Sequence, residues 1–498
     1  MSIPDALTES GLPNNVDEPF LPSKQIDDPR EKIPPHMRRR LLVSLIAILL
    51  SFQIGGQMIG GPMVRVIEMI ACNNYWRRQD PARLPMAGHL PEHLCKAAEV
   101  QTEVATVKGY SDLLEGLLCA ICAIPYGLLA DRYGRRRAIR LTVPGYLLNA
   151  VITNSVLWFS DTFPLRAIWF AAVSWIIGGG PVVAVVAIWA MLADITTDAQ
   201  RATLFFRIGL ANQVTSFLAS LISAGLMAVD PWIPLLIGCG AVTMGLGCAL
   251  SLPETMNLSV KTTASPEPGL GPLGTSGDTS FVEPVCTSRP WPATITRLVQ
   301  PYLFICHPRL LLLLCALSTG ELAQRSSSFL TQHISTRFGW TLAQAHFLVS
   351  FYAAVTILVF LVLLPYLSKR ILRHLSLPMI ELQIARLSTI TLLLGSIGIG
   401  TSPSVLVLVS SLSVYATGAG FALAIRSLVT ALVKQEETAR LYSAVELVQY
   451  VGTILGSLCF TNVFRLGINS GGLGSGWVWV LGSLLYASVG VALAFVRV

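Results

Sequence analysis

Glu321 and Arg325 stand four residues apart in the stretch LSTGELAQRSSSFL (Leu317–Leu330), directly after the apolar run LLLLLCAL (Leu310–Leu317). Residues at this spacing share one face of a helix. A carboxylate and a guanidinium there can pair, hold a polar ligand or pass a proton. The position is expensive, because an ionised side chain at the bilayer centre costs roughly 2.5–3.5 kcal/mol on insertion scales. The same problem recurs at Lys108, Asp112 and Glu115, spaced i, i+4, i+7 on one stripe, at Arg426, and at Glu446 with Gln449 one turn on. An intramembrane ionisable group must be protonated, paired or hydrated, so these residues mark proton or substrate routes. A plainer reading stands beside that one: static ion pairs that fix helix packing, Lys108 snorkelling to the interface, and Glu446 interfacial. No nucleophile–base arrangement points to an enzyme, and no phosphate-binding glycine loop points to a nucleotide-driven pump.

These residues need helices to carry them. The chain has 498 residues, 53% hydrophobic and 13% charged. Soluble domains carry about 25% charged residues, so the composition is that of a membrane protein. Windows of about 19 residues give twelve candidate spans, at 41–64, 104–126, 138–159, 165–190, 204–227, 231–252, 308–333, 341–366, 380–400, 403–432, 442–466 and 477–496. The expectation is an all-α membrane protein of two pseudo-symmetric six-helix bundles, residues 41–252 and 308–498. A polar tail (1–40) precedes them, and a Pro-, Gly-, Ser- and Thr-rich flexible linker (253–307) joins them. Residues 65–103 are expected to form a long first loop. Met1–Lys32 lacks the apolar core of a signal peptide.

The basic residues set the orientation. Arg38–Arg40 precede the first span, the loop DRYGRRRAIR (Asp131–Arg140) follows the second, and SKRILRH (Ser368–His374) follows the eighth. The positive-inside rule puts all three, both termini and the linker in the cytosol. The net charge of +7 therefore reads as membrane topology, with no nucleic-acid partner. Most cysteines fall in apolar runs, where Cys acts as a small hydrophobe. Cys119-x-x-Cys122 reads as packing. His89, His93 and Cys95 read as a plain loop, so no metal and no cofactor are expected. Cys72 and Cys95 share the first loop on the oxidising face, either as a disulfide or as two free thiols.

GLLADRYGRRR (Gly127–Arg137) between spans two and three resembles the signature loop of the major facilitator superfamily. Gly127 would allow close helix approach, Asp131 would face a helix N-terminus or a cation such as Arg201, and Gly134 would permit a tight turn. Arg132, Arg135 and Arg136 would meet lipid phosphates and facing acids. A degenerate echo after span eight, LPYLSKRILR (Leu364–Arg373), and a second pair of landmarks, TTDAQRATLF (Thr196–Phe205) and EETARLYSAV (Glu436–Val445), suggest a duplicated six-span unit. LADITTDAQRATLFF, LPETM and TRFGWTLAQAHFLVSFY are similar to a fungal branch related to proton-coupled folate transporters and secondary-metabolite efflux carriers.

The resemblance implies a monomeric, plasma-membrane secondary transporter with alternating access about a midplane site, moving a small organic molecule and protons. It also implies that spans three, six, nine and twelve face lipid, and these have no ionisable residue in their middles. The drug–proton antiporter signature is missing from span five, IGLANQVTSFLASLISAGLM (Ile208–Met227). The preferred reading is proton-coupled export of a secondary metabolite or toxic compound, with uptake of a small organic nutrient and a non-transporting sensor on the same fold as the alternatives.

Overall fold

The computed structural model describes residues 35–81, 90–195, 198–252, 307–367, 376–433, 438–470 and 474–496. The expected tail, up to residue 34, and the expected linker, up to residue 306, lie outside them. Eight described helices are long and apolar enough to cross a membrane. The pair Leu165–Ile176 and Gly180–Leu192, bent by 41°, makes a ninth span. Ala98–Tyr133, Arg135–Trp158 and Pro308–Phe338 complete the twelve. The first and last of these three are the spans that carry the Lys108 and Glu321 charges. The fold is the expected all-helical one, because lipid leaves a backbone no other local way to satisfy its N–H and C=O groups.

Several spans are broken where the sequence weakens the helix. Span four bends at Gly178, Gly179 and Gly180, with φ of 85°, 77° and 66°, a left-handed run open only to glycine. Span seven changes from α-helix (Pro308–Gln324) to a 3-10 turn (Arg325–Phe329) and back to α-helix (Leu330–Phe338). The turn is the serine run RSSSF, where Ser327 Oγ donates to the Gln324 carbonyl at 2.7 Å, a local bond that competes with the helix ladder. Span ten breaks likewise at Gly418–Gly420.

The first loop requires a correction. Helix one runs from Pro35 to Gln79, a 3-10 turn follows at Glu92–Lys96, and helix two starts at Ala98. The polar residues that ended the hydropathy window lie on a helix and are neutralised by one another. Glu68, 1% exposed, pairs with Arg65 at 2.6 Å and Lys96 at 2.8 Å and accepts a bond from Gln101 at 2.6 Å. The structure joins Cys72 to Cys95 in a disulfide, Cα–Cα 5.1 Å, which ties the end of helix one to the 3-10 turn.

Spans one, five and six pack together, as do two, three and four, while nine packs on ten and twelve and seven packs on eleven and twelve. The two groups meet chiefly through span two against eleven and span five against eight. In lipid, apolar burial supplies little drive and close approach matters more. Gly452 and Gly456 of span eleven let span seven approach until a Cβ would lie 2.4 Å from the Ser318 carbonyl oxygen or 2.8 Å from Arg325 Cγ. At the edge of the second group, Arg386 of span nine donates to the carbonyls of Leu493 at 2.9 Å and Val496 at 3.1 Å, so a cation closes the otherwise open C-terminal end of span twelve.

Spans two and three meet at Gly134, φ 100° and ψ 142°, whose N–H donates to the Ala130 carbonyl at 3.1 Å. A side chain is strained there by about 1–3 kcal/mol. Gly134→Ala is therefore expected to lower the melting temperature of the detergent-purified protein by a few degrees. An unchanged melting curve would show that the turn tolerates a Cβ.

Candidate functional site

In the second bundle three spans converge on one amide. Arg426 lies on the helix that resumes after the span-ten break, and its Nη2 donates to Gln449 Oε1 of span eleven. The Gln449 Nε2 in turn donates to Glu321 Oε1 of span seven at 2.5 Å. Gln449 is 7% exposed. An amide suits this place because its oxygen faces the cation and its nitrogen faces the carboxylate. The chain Arg426–Gln449–Glu321 links spans ten, eleven and seven through this amide.

The expected Glu321–Arg325 ion pair is not formed. The α-helix stops at Gln324, and in the 3-10 turn beyond it residues wind three to a turn, so the four-residue alignment is lost. Arg325 reaches span eleven instead, where Nη2 donates to Thr453 Oγ1 at 3.2 Å. Glycine at 456 makes room for the arginine stem.

In the first bundle Lys108 and Asp112 close the expected pair at 3.0 Å, and Ser111 Oγ donates to Glu115 Oε1 at 3.4 Å. Glu115 lies beside Trp175. Trp175, Tyr146 and Phe52 form an edge-to-face series at 4.8 and 5.1 Å, contributed by spans four, three and one. The second bundle has its own series around Tyr415, with Tyr352, Trp479 and Tyr486 at 6.0, 5.7 and 6.3 Å. The arrangement offers cations, carboxylates, hydroxyls and aromatic faces, groups chemically able to bind a polar organic molecule. Among the described residues, no group of three or more His, Cys, Asp and Glu could hold a metal ion.

The other expected residues fall as follows. Glu446 lies on the span-eleven helix, Asp131 and Arg132 end span two, and Arg201 opens span five, with side chains outside the described ones. Arg135 and Arg136 start span three. Arg136 borders a cavity of about 300 Å³ with His36, Arg40 and Ser251. Gly127 is corrected: a Cβ there would meet nothing within 4 Å, so the residue does not serve close helix approach. Close approach between the bundles falls instead to glycines such as Gly109, opposite Thr461, and Gly116, opposite Ile454.

A family model described as Major Facilitator Superfamily matches residues 105–457. The chain belongs to that superfamily. This facilitator is 39% identical to the MFS-type transporter aprT of Aspergillus flavus, over 100% of this chain and 97% of that protein. It is 30% identical to the MFS efflux pump atnC of Emericella nidulans, over 93% and 88%. Among solved structures it resembles the human organic anion transporter MFSD10, with a TM-score of 0.57, 18% identity, and coverage of 93% and 100%. It also resembles a D-xylose–proton symporter, with a TM-score of 0.59, 11% identity, and coverage of 92% and 96%. These two likenesses speak to the fold alone.

Proposed function

We propose that this facilitator exports a small organic metabolite and couples that export to protons. The observation that carries the reading is the Arg426–Gln449–Glu321 chain, a carboxylate held by a neutral amide at the meeting of three broken or glycine-lined spans. A carboxylate in that setting can gain and lose a proton while Gln449 holds spans seven, ten and eleven together. Arg325 and Arg426 then provide donors for a carbonyl or carboxylate of the substrate. Export is supported by the relatives named efflux pumps. Uptake finds its support in the missing antiporter signature of span five.

The reading keeps Asp112, Glu115 and Glu446 as lining residues. It keeps Asp131, Arg132, Gly134, Arg135, Arg136 and Arg201 as the gate at the arginine-rich end. That end is taken as cytosolic on its arginines, with a single chain in the plasma membrane as the working unit. Metabolite profiling of cells with and without the gene tests it. One compound should accumulate inside gene-deleted cells and fall in their medium. The reverse shift overturns export in favour of uptake, and signalling defects with no change in any flux overturn transport altogether.

A further inference from the structure

One face of span eight holds the two bundles together at the end that carries the disulfide. Leu342, His346 and Ser350 lie at i, i+4 and i+8 on one helical stripe, and each meets the first bundle. Ser350 Oγ is 2.8 Å from Ser220 Oγ of span five. The His346 ring packs where a Cβ on Gly61 of span one would sit 2.8 Å away. The Leu342 backbone N–H donates to Glu92 Oε1 at 2.6 Å. Glu92 belongs to the connection between spans one and two, so a carboxylate of one bundle caps the helix of the other.

The local sequence explains the contact. Thr341 is the N-cap of span eight and forms a capping box with Gln344. That box satisfies the N–H groups of Thr341 and Gln344 and leaves Leu342 at the first helical position with its donor free for an outside acceptor. An anion at that place also meets the positive end of the helix dipole. Glu92 is held there by Lys96 at 2.9 Å and Arg65 at 3.5 Å. Both cations also hold the buried Glu68. The Cys72–Cys95 bond fixes the same turn to helix one.

We propose that Glu92 is the latch residue of the disulfide end: its bond to Leu342 favours the state in which the bundles touch there, and it is released each time that end opens. Water can satisfy both groups after release, which makes the contact reversible, whereas the ion pairs and disulfide behind Glu92 stay within the first bundle and keep it aimed. The latch depends on neither proton coupling nor the direction of transport.

The test uses the full chain in lipid nanodiscs, where both ends face reagent. Val64→Cys, 8% exposed in the cluster that includes Leu342, reports opening through its thiol labelling rate, with the other free cysteines replaced by alanine. Glu92→Ala should raise that rate about tenfold, and Glu92→Gln, which keeps an acceptor oxygen, should raise it less. Leu342→Pro removes the donor at a helix position that accepts proline. It should raise the rate in the parent and add little in the Glu92→Ala background. Ile48→Cys, fully buried at the arginine-rich end, should label equally slowly throughout. Unchanged Val64→Cys labelling, fully additive effects of the two substitutions, or equal rises at both reporters would each overturn the latch. If Glu92→Ala does not fold, Leu342→Pro measured in the parent and in Glu92→Gln decides by the same criteria.

Discussion

Uphill transport is expected to fall at least about tenfold in Glu321→Gln, equivalent to ~1.4 kcal/mol, with the amount of protein in the membrane unchanged. The substitution keeps the shape that Gln449 Nε2 bonds at 2.5 Å and removes the group that can gain and lose a proton. Substrate exchange in the absence of a gradient should therefore persist, while the dependence of net flux on a proton gradient flattens. Proteoliposomes with and without an imposed pH difference separate the two. A variant that keeps its gradient dependence would show that Glu321 only braces spans seven and eleven. Loss of exchange and of protein together would point the same way. Arg325 is expected to act separately, because its partner is Thr453 and not Glu321.

The second large effect is expected at Gly109, where span two crosses span eleven. A Cβ there would stand 1.9 Å from Thr461 Oγ1, 2.5 Å from its Cγ2 and 2.6 Å from its Cβ. Rotating the threonine cannot relieve all three, and Ser457 Oγ also donates to the Gly109 carbonyl at 3.3 Å. Overpacking of this kind costs about 1–3 kcal/mol, here charged only to the state in which the bundles touch. Gly109→Ala should therefore slow turnover about tenfold or more and increase labelling at Val64→Cys. Adding Thr461→Gly should recover most of the turnover, as expected for a contact pair in a double-mutant cycle. Absence of recovery would place the effect within span two itself.

The spans were legible in sequence because lipid imposes length and apolarity together. The extension of helix one to Gln79 was not, since hydropathy windows register greasiness and not helicity. Arg65 and Glu68 look like loop residues until Lys96 and Glu92 are brought beside them. The bend of span four at its triple glycine was not anticipated, although three consecutive glycines permit the left-handed backbone found there. The break at the serine run after Gln324 was not legible either, because single serines sit in helices without harm and only their bonds back to the ladder show a break. Lys108 and Asp112 were found as a pair, but the charges of the second bundle were found without their partners. Gln449 lies 128 residues from Glu321 and Thr453 lies 128 residues from Arg325, and periodicity within one helix cannot see that far. It instead favoured the nearer and wrong partner for Arg325. The signature-loop glycines divided similarly: Gly134 has the backbone its type suggests, whereas the contact expected of Gly127 falls to Gly109.

The Arg386 contact with the last turn of span twelve bears on how the protein can be handled. The final carbonyls, at Leu493 and Val496, are anchored by one guanidinium from span nine. An affinity handle or fluorescent reporter fused directly after Val498 would pull on that single anchor. A flexible spacer ahead of the fusion would spare it, and attachment to the amino-terminal side would avoid it entirely.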